Sequence, residues 1–435
     1  MVEPRVAVVG AGVAGISAAY HLRGAAEVTL FDAADRVGGH ANTIEIQENG
    51  ATVGLDTAFV VYNEAHYPTF TKFLADLGVP TQAHPGKFSY FDLSRDQCYV
   101  SDDFALSQDE FAAKYPPEIA SLWAQERRFS HESRRDFLRG RTNVPLGEYL
   151  ESNGYSAEFR YGFIVLLATA VWSVPPDQIW EMPASTVIAF FFAHGYEGLG
   201  SRSVPWRTIH GGSITYVRAA MRQLRADGQT VRVGHPVLGV SEDDTGVSVR
   251  SAAGVERFDS VVLATHADDS VRMLDRLAPG QEILREIPYY PNTVYLHSDP
   301  SCLPADRSAW RSWNYGKADG PNGPRTWAVY YLNELQQLNS GRDFFLTLGE
   351  GPQPDPRHVI AELEYRHPIF SDKARAAQRD IHSVNGLNSR VKFAGSYFHS
   401  RQLGPDIIGG HESAFDSGAA AAAAVLHRLN QPTTH

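Results

Sequence analysis

The sequence predicts a two-domain protein that combines an α/β domain, built on a parallel sheet, with an α+β domain of mixed sheet plus helical cap. Two observations predict this fold class. The first forty residues alternate strand, glycine turn, helix and strand, as the units of parallel sheets do. A second unit of strand, glycine-rich turn and helix closes the chain at residues 390–429. Both chain ends are therefore expected in the α/β domain.

The opening unit carries a dinucleotide-binding motif. Arg5–Val9 is rich in β-branched residues, as buried parallel strands are, and leads into a G-x-G-x-x-G turn at Gly10, Gly12 and Gly15. The first glycine makes the tight turn, the second lets the backbone approach a pyrophosphate, and the third allows close helix–strand packing. Asp32 ends the next strand, where a carboxylate accepts hydrogen bonds from a ribose diol. The spacing predicts a Rossmann-like unit with a pyrophosphate at the helix N-terminus.

The G-x-G-x-x-G motif alone does not distinguish NAD from FAD. A second glycine turn, Asp32-Ala-Ala-Asp-Arg-Val-Gly38-Gly39-His40, follows the first one. It resembles the turn after the ribose-binding acid in FAD-dependent amine oxidases and related desaturases, where it lies along the FAD diphosphate. This resemblance favours FAD as the cofactor.

Composition argues against several functional classes. The 435 residues are enough for two substantial domains, and a net charge of −11 disfavours a nucleic-acid partner. Cys98 and Cys302 are too few for a disulfide framework and lack metal-ligand spacing, so we expect a reduced protein without a metal. The first strand begins a few residues after Met1, which leaves no room for a signal peptide. The longest apolar run, Thr186–Ala193, is too short to cross a bilayer, so a cytoplasmic protein is expected.

A hairpin is predicted after the second glycine turn. Asn42–Gln47 and Thr52–Leu55 have the pattern of two strands, and the Asn49-Gly50 pair between them is a strong hairpin signal. The next segment, Asp56–Asn63, has two interpretations: a sheet strand that continues into a loop, or backbone that lies near a flavin ring. We favour the second interpretation.

A mostly helical insert at residues 67–201 is a candidate cap over the active site. It contains a predicted helix at Pro68–Gly78 and predicted strands at Phe88–Asp92 and Gln97–Val100. Asp109–Asn153 is charged and helix-forming, and its arginine pairs favour a solvated helix face over a surface that steers an anionic substrate. Tyr155–Trp172 is predicted to continue as helix.

The middle of the chain predicts more strands. The helix at Ile214–Asp227 is expected to begin with Ser213 as its N-cap. Four short runs have the appearance of a β-meander: Val231–Val233, Val237–Ser241, Val247–Arg250 and Glu256–Phe258. Another buried strand is predicted at Asp259–His266. The sheet of the substrate-facing domain is predicted from three runs: Thr293–His297, Thr326–Leu332 and Phe344–Leu348.

The closing unit begins with a strand at Arg390–Ser396 and passes through Gly409-Gly410-His411-Glu412 into a helix that ends at about Leu429. Six consecutive alanines, Ala419–Ala424, give this helix high propensity and a thin wall for close packing. With a flavin bound, the helix N-terminus is expected to stabilise the negative charge that builds on the reduced ring.

Several strings carry a resemblance over essentially the whole chain. They are Gly38-Gly39-His40-Ala-Asn-Thr43, Asp56-Thr-Ala-Phe59 with Tyr62-Asn63, Ala170-Val-Trp-Ser173, Leu263-Ala-Thr-His266, Leu296-His297-Ser-Asp299 and Trp310-Arg-Ser-Trp-Asn-Tyr315. On these strings the chain resembles the FAD-dependent amine oxidase and phytoene desaturase superfamily, most of all a bacterial group of FAD-binding, amine-oxidase-like proteins. Some similar proteins are implicated in dehydrogenating modified fatty acids, and a more distant one isomerises polyunsaturated fatty acids.

The resemblance implies the two-domain architecture of amine oxidases and p-hydroxybenzoate hydroxylase. The FAD-binding domain is expected to be discontinuous, over residues 1–66, 202–275 and 389–430. The substrate and cap domain is expected over residues 67–201 and 276–388, and residues 431–435 are expected to be a tail. The expected partner is a small, largely apolar substrate molecule.

The resemblance also implies which residues contact FAD. They are Gly10, Gly12, Ala14, Gly15, Asp32, Ala33, Arg36, Gly38, Gly39, His40, Thr57, Ala58, Phe59, Val237, Ala264, Gly395, Ser396, Gly410, His411 and Glu412. Within this set, Arg36 is expected near the phosphates and the backbone of Val237 near the adenine. Gly395 and Ser396 are expected at the ribityl or pyrophosphate, and Gly410 to Glu412 at the pyrimidine edge of the flavin.

The residues that act on the substrate are less closely specified. Pocket candidates are Trp172, Phe190, Trp313, Tyr315 and Tyr330, each with a plain core role as the alternative. Acid–base candidates are His40, His266, His297 and His411, each with a structural role as the alternative. Tyr315 and His411 are the catalytic candidates.

The chain departs from the family pattern near the expected flavin ring. Ala58 stands where the family usually has Gly, and Gly409–Ala414 replaces a Gly-Phe-His-Glu-Asp-Gly string. Many superfamily oxidases use a lysine that bonds through water to flavin N5, but no lysine here is assigned that role. Lys317 is the candidate, and we expect it to be structural.

Three functional hypotheses follow. The leading one is an FAD-dependent oxidoreductase that dehydrogenates a small, largely apolar substrate by hydride transfer to flavin N5, at a C–C or a C–N bond. The second is a double-bond isomerase that returns the hydride with no net redox change. The third is a flavin-binding protein without turnover. The sequence has no G-x-S-x-G, H-E-x-x-H, C-x-x-C or P-loop motif to favour another enzyme class.

Overall fold

The structure, a computed structural model, describes residues 3–165, 167–168, 176–193, 205–321, 323–369, 371–386, 389–402 and 409–430. The strands in this part of the chain are β1 (Arg5–Val9), β2 (Glu27–Phe31), β3 (Thr43–Glu48), β4 (Ala51–Asp56), β5 (Val61–Asn63), β6 (Thr81–His84), β7 (Phe88–Asp92), β8 (Gln97–Val100), β9 (Trp206–Ile209), β10 (Thr230–Arg232), β11 (Val237–Asp243), β12 (Gly246–Ser251), β13 (Gly254–Phe258), β14 (Ser260–Leu263), β15 (Tyr289–His297), β16 (Trp313–Ala318), β17 (Arg325–Tyr331), β18 (Phe345–Gly349), β19 (Val359–Pro368) and β20 (Val391–Phe393).

The helices of the described residues are α1 (Val13–Leu22), α2 (Pro68–Asp76), α3 (Gln108–Lys114), α4 (Pro117–Leu138), α5 (Leu146–Ser152), α6 (Ala157–Phe159), α7 (Pro176–Glu181), α8 (Ala184–Ala193), α9 (Ile214–Ala226), α10 (Ala267–Met273), α11 (Leu332–Leu335), α12 (Asp372–Arg379) and α13 (His411–Leu429). None of them is long and apolar enough to cross a membrane.

A five-stranded parallel sheet carries both ends of the chain. Its strand order is β10-β2-β1-β14-β20, and every neighbouring pair is parallel. The central strand β1 is almost entirely inaccessible to solvent, as its apolar run predicts. Helices α1 and α13 pack closely on one another beside the sheet. The predicted α/β fold is confirmed.

The predicted four-strand meander is wrong in its first strand. Val231 lies in β10, which is the outer strand of the parallel sheet and pairs with β2. Only β11, β12 and β13 form the antiparallel meander. Short β-branched runs look alike in both kinds of sheet, so the sequence pattern did not separate them.

A seven-stranded mixed sheet forms the centre of the second half of the molecule. Its order is β19-β15-β18-β17-β16-β7-β8. The three runs predicted for this sheet form β15, β17 and β18, whereas β16 and β19 were not predicted. Strands β7 and β8 come from the insert at residues 67–201, so both chain segments assigned to the substrate domain contribute to one sheet. The domain boundaries themselves stay a prediction.

The predicted hairpin forms between β3 and β4. Both residues of its turn have positive φ, 51° at Asn49 and 79° at Gly50, which suits the Asn-Gly pair. The N-cap prediction for α9 is wrong in its detail. Ser213 stands at the cap position but makes no side-chain bond to the helix amides; its hydroxyl contacts Asp56 and the Phe59 carbonyl instead.

The insert is a helical layer over the seven-stranded sheet. Helices α3 to α5 occupy the predicted charged segment, and their arginines pair locally: Arg127 with Glu126 at 3.2 Å, and Arg135 with Asp136 at 3.1 Å. The two arginine side chains are partly exposed, in keeping with a solvated helix face, whereas their partners Glu126 and Asp136 are buried. The helix predicted over Tyr155–Trp172 begins in the structure with α6 and continues through a π-helical turn at Arg160–Ile164. The last part of the predicted range lies outside the described residues.

Candidate active site

A cavity of about 1010 Å³ lies between the parallel sheet and the seven-stranded sheet. This volume is at the upper end of the usual range for ligand pockets, roughly 300–1,000 Å³. The walls come from both halves of the molecule. The cavity has a glycine-rich half beside the parallel sheet and an apolar half beside the seven-stranded sheet.

The glycine-rich half is formed by the carboxyl ends of the parallel strands. Gly10 directly follows β1, Asp32 follows β2 and Ala264 follows β14, while Gly395 lies two residues after β20. All four residues line the cavity. Parallel α/β sheets bind ligands at this edge, where neighbouring connections leave in opposite directions. The fold therefore brings together four chain segments that are far apart in the sequence.

The first glycine turn has the predicted geometry. Gly10 has φ +99°, and a Cβ there would lie 2.5 Å from the Ala264 carbonyl oxygen, so only glycine fits this turn. A Cβ on Gly15 would lie 1.8 Å from the Gly10 oxygen, which confirms close helix–strand packing. Gly12 and Ala14 line the cavity, and a Cβ on Gly12 would approach the Gly39 Cα no closer than 3.9 Å.

Asp32 and its neighbours line the end of the cavity beside β2. The Asp32 carboxylate accepts hydrogen bonds from the amides of Ala11 at 2.6 Å and Ala34 at 2.8 Å, which fix its orientation. Ala33 and Val237 line the same end of the cavity. The carboxylate still has acceptor capacity for a diol.

The second glycine turn packs directly on the first. Gly38 donates its amide to the Ala11 carbonyl at 2.8 Å, and a Cβ on Gly39 would lie 3.0 Å from the Gly12 Cα. Gly39 lines the cavity, whereas Gly38 is behind it. Arg36 is exposed, does not line the cavity, and donates to the Gly39 carbonyl at 2.9 Å.

Two helix N-termini open on the cavity. α1 begins beside Gly12, and α13 begins beside Gly410, where a Cβ would meet no atom within 4 Å. The first amides of a helix lack partners within the helix and carry a partial positive charge. The arrangement provides two sites of positive potential for an anionic or electron-rich ligand.

The segment that follows β4 also lines the cavity. Thr57, Ala58 and Phe59 form part of its wall, and the Thr57 hydroxyl lies 2.6 Å from the Tyr365 hydroxyl. Ser396 lines the wall beside Gly395. The predicted cofactor residues thus lie around one space, except Gly15, Arg36, Gly38 and Glu412, which are not in its wall.

His411 lies at the start of α13 with its ring held in an aromatic cluster. The ring stacks on Phe59 at a centroid distance of 3.6 Å, and its Nε2 lies 3.0 Å from the Tyr216 hydroxyl. Loss of hydration lowers the pKa of His411 to about 3, so the ring is neutral. This packing suits a positioning role better than proton transfer, and the catalytic assignment stays a prediction.

Glu412 points away from the cavity. Its carboxylate accepts hydrogen bonds from the amides of Thr69 and Phe70, both at 3.0 Å, and from the Thr69 hydroxyl at 2.5 Å. It therefore caps the N-terminus of α2, because the first amides of that helix lack internal partners. Desolvation raises the pKa of this carboxyl.

The apolar half of the cavity is a chamber under the helical layer. Its side chains are aromatic or aliphatic, and no charged side chain of the described residues lines this half. They are Phe88, Leu167, Phe190, Phe191, Val294, Trp313, Tyr315, Tyr330, Leu346 and Leu348. Burial raises the pKa of Tyr315 and Tyr330 well above the usual value, so both hydroxyls stay protonated. We call this half the aromatic chamber.

The remaining candidates divide between the cavity and the core. Trp172 lies outside the described residues, while the other aromatic candidates line the chamber. His40 and His266 line the cavity, but His297 is buried elsewhere and its Nε2 lies 2.7 Å from the Thr347 hydroxyl. Lys317 donates to Asp92 at 2.7 Å and does not line the cavity, in keeping with the expected structural role.

Strand β19 supplies wall residues that sequence reasoning missed. Tyr365 and His367 face the cavity from this strand. Leu363, Tyr365 and His367 alternate with Glu362, Glu364 and Arg366, which is the period of a half-buried strand. That alternation was the available signal.

The residues present fit an FAD-type dinucleotide. The glycine cradle leaves room for a backbone-bound pyrophosphate between two helix N-termini, and Asp32 offers a carboxylate to a ribose. The cavity extends from this cradle into the aromatic chamber, so it offers one continuous space to a cofactor ring and a substrate.

Comparison with known proteins identifies similar flavoenzymes. A family model for flavin-containing amine oxidoreductases matches residues 13–302. The flavin-dependent L-tryptophan oxidase RebO of Lentzea aerocolonigenes is 25% identical over 313 residues, which span 66% of this chain and 64% of that protein. The L-amino-acid oxidase of Pseudechis australis is 56% identical over 52 residues, 12% of this chain and 10% of that protein. The chain thus matches less than two thirds of the length of these curated relatives.

Solved structures with the same fold cover nearly the whole chain. Cyclohexylamine oxidase from Brevibacterium oxydans IH-35A has a TM-score of 0.69 and 15% identity, over 99% of this chain and 100% of that one. Putrescine oxidase bound to putrescine has a TM-score of 0.63 and 16% identity, over 98% of this chain and 99% of that one. At such identities the likeness shows the fold alone.

Proposed function

The chain belongs to the flavin-containing amine oxidoreductases, and from this premise we propose that it dehydrogenates a small, largely apolar substrate at a C–N or C–C bond. It is an FAD-dependent oxidoreductase. When bound, FAD supplies the hydride acceptor, its N5 atom. The protein contributes binding, orientation and exclusion of water.

The aromatic chamber is the observation that carries the proposal. A carboxylate or an ammonium group that enters an apolar space loses several kcal/mol of hydration unless an opposite charge receives it. No charged side chain of the described residues lines the chamber. Among the described residues, an amino acid or a diamine finds no charge partner there, whereas a neutral substrate or a monoamine that binds as its uncharged free base does not need one.

The polar groups of the chamber set the orientation of the substrate. Tyr315 and Tyr330 are its hydroxyl-bearing residues among the aromatic and aliphatic side chains, and both hydroxyls stay protonated. A protonated phenol donates one hydrogen bond and accepts others, so it can hold a single polar atom of a substrate. Trp313 and Phe88 supply flat apolar surfaces that exclude water.

The N-terminus of α13 provides the electrostatic contribution from the chain. Gly410 opens this helix directly on the cavity, and its first amides are unsatisfied within the helix. Positive potential at that point stabilises negative charge that develops beside it during hydride transfer. The aromatic cluster around His411 holds the helix start in place.

Anaerobic flavin bleaching tests the proposal. The purified holoenzyme is mixed without oxygen with cyclohexylamine, cyclohexanone, putrescine or L-tryptophan, and the visible flavin absorbance is followed. We expect lasting bleaching with cyclohexylamine or cyclohexanone, and none at the same concentration with putrescine or L-tryptophan. Bleaching by cyclohexylamine assigns C–N oxidation, and bleaching by cyclohexanone assigns C–C desaturation.

The opposite pattern overturns the proposal. Bleaching by L-tryptophan or putrescine alone would mean that a charged substrate is accommodated in the chamber. Transient bleaching that recovers without oxygen, with a rearranged double bond in the product of an unsaturated probe, would indicate an isomerase. The Trp313→Ala variant is expected to weaken binding of the apolar probe, while the exposed Leu138→Ala variant leaves it unchanged.

A further inference from the structure

Three histidines form one wall of the cavity, between its glycine-rich and apolar halves. His40 follows the second glycine turn, His266 follows β14, and His367 lies on β19. The ring centroid of His40 is 5.3 Å from that of His367 and 5.9 Å from that of His266. We call these three residues the histidine wall. None of them belongs to the aromatic chamber.

The inner members of the histidine wall have unused hydrogen-bonding capacity. Within the described part of the chain, the His40 ring contacts Tyr365 edge-on at 4.9 Å and makes no hydrogen bond. The His367 Nδ1 is inaccessible to solvent and has no hydrogen-bond partner among the described residues. Buried polar atoms are almost always paired, so an unpaired ring nitrogen beside a cavity indicates a role for it.

The outer member connects the wall with solvent. His266 stacks on Tyr289 at 4.4 Å, and its Nδ1 lies 3.6 Å from an Asp269 carboxylate oxygen. The Asp269 side chain is 35% exposed, and its neighbour Arg272 is 63% exposed. The histidine wall therefore runs from the buried part of the cavity to a partly exposed carboxylate, Asp269, which lines the cavity where it meets solvent.

All three rings are neutral near neutral pH. Desolvation lowers the pKa of His266 and His367 to about 4 and holds that of His40 well below its usual value. The positive charges of Arg366, near His266, and Arg36, near His40, lower these pKa values further. A neutral imidazole accepts a proton at one nitrogen and donates one from the other, so it can pass a proton on without keeping a charge.

A shared metal ion does not explain the histidine wall. Among the described residues, the group with metal-ligand spacing is His266 with Asp268 and Asp269, and it includes neither His40 nor His367. The carboxylates of Asp268 and Asp269 already pair with the Arg366 guanidinium, and the distance from Arg366 to Asp269 is 3.3 Å. Positive charge at that position opposes a cation.

We propose that His40, His367 and His266 form a proton path from the cavity to solvent at Asp269. This inference rests on the dehydrogenation proposed above. Oxidation of an H–C–N–H or H–C–C–H unit removes a hydride, which carries both electrons to the flavin, and a proton from the adjacent atom. The proton enters the path at His40 and leaves it at Asp269. Each ring accepts a proton at one nitrogen and donates one from the other, so it ends neutral in the opposite tautomer and returns to the first by turning over. Where two rings are beyond hydrogen-bond distance, one water molecule spans the gap.

The test does not need the substrate. The holoenzyme is photoreduced without oxygen and mixed in a stopped-flow cell with ferricyanide and phenol red in weak buffer. Reoxidation transfers two electrons to two ferricyanide ions and releases one proton from N5 of the reduced flavin. This proton leaves the same cavity as the substrate proton, and the proposed path carries both. We expect the wild type to release the proton as fast as it loses electrons. In His40→Ala and His367→Ala, we expect the release to slow by about a hundredfold, in the range of general acid–base contributions.

Rescue distinguishes a proton path from a packing role. Imidazole added to His40→Ala is expected to restore fast proton release, whereas pyrazole, which has the same shape but is far less basic, is not. The exposed His358→Ala is the matched control and keeps the wild-type rate. If an alanine variant loses FAD, His266→Gln and His367→Gln carry the same expectation with less loss of volume.

The outcomes separate this inference from the proposed function. Wild-type proton release in FAD-loaded His40→Ala and His367→Ala, or equal rescue by pyrazole and imidazole, overturns the proton path. Failure of every probe substrate to bleach the flavin overturns the proposed function, but the ferricyanide experiment still reports on the path.

Discussion

Gly418→Ala tests how closely the closing helix must approach the opening one. A Cβ at Gly418 in α13 would lie 2.1 Å from the Ala14 carbonyl oxygen and 2.8 Å from the Ser17 Cβ, both in α1. The helices must separate by about 1 Å to restore van der Waals contact. That separation also strains the hydrogen bond from the Ser17 hydroxyl to the Phe415 carbonyl, now 2.7 Å.

The expected change in the free energy of unfolding is the sum of opposing contributions. Overpacking of a tight interface costs about 1–3 kcal/mol, and a weakened buried hydrogen bond costs about 1 kcal/mol. Alanine gains about 1 kcal/mol over glycine in a helix interior. We expect a net loss of about 1–3 kcal/mol in the free energy of unfolding. FAD affinity also falls, because the N-termini of both helices line the cofactor cavity.

Urea unfolding of the apoprotein and fluorescence titration with FAD measure the two effects. The control is Ala423→Gly, at an exposed position of the same helix, which is expected to lose about 1 kcal/mol without a change in FAD affinity. A Gly418→Ala protein that is more stable than the wild type, with unchanged FAD affinity, would refute the reasoning. In that case only helix propensity would be acting at the site.

Three further predictions concern buried charged groups. Glu412→Ala removes the cap of α2 and is expected to lower the free energy of unfolding, measured in urea, by about 1–3 kcal/mol. Glu412→Gln is expected to retain part of the cap's contribution to stability. An unchanged urea midpoint in Glu412→Ala would mean that the cap adds nothing. Burial raises the pKa of Asp56 to about 7, above its value in the unfolded chain. The protonated Asp56 side chain therefore contributes fully to the free energy of unfolding below about pH 4, and this contribution is lost as the pH rises through 7. Thermal midpoints from pH 4 to 8 are therefore expected to fall more steeply in the wild type than in Asp56→Asn, and equal slopes contradict this. Lys317→Met leaves the buried carboxylate of Asp92 without its ion-pair partner and is expected to lower the free energy of unfolding by about 3–5 kcal/mol, whereas the double variant with Asp92→Leu recovers most of this loss. A double variant as unstable as the single one would contradict this account.

The local parts of the fold could be predicted because they depend on short stretches of chain. Strand β1, its glycine turn and Asp32 form a continuous pattern in which each residue type has a local backbone reason. The Asn-Gly hairpin between β3 and β4 is of the same kind. β10 was assigned to the wrong sheet, because a three-residue strand carries no information about its partner.

Side-chain roles were harder to predict, since a residue type does not specify its neighbours. Glu412 sits in a cofactor-like string, yet its carboxylate caps α2, which lies more than 300 residues earlier. His411 is on a helix start beside the cavity, yet its ring is packed between Phe59 and Tyr216. Only the packing of α13 against α2, α9 and the segment after β4 determines these partners.

The sequence by itself determined the part of the site that would hold the dinucleotide: the glycine turns at Gly10 and Gly39 and the carboxylate of Asp32. These features are backbone requirements, and a backbone requirement is visible in the residue types that satisfy it. The sequence named Trp313, Tyr315, Tyr330, His40 and His266 as candidates, but only the tertiary structure decided that they line one cavity, in the aromatic chamber and the histidine wall. Their residues come from β7, β15 to β19, the helical layer and the loops after β2 and β14, and long-range strand pairing is what brings them together.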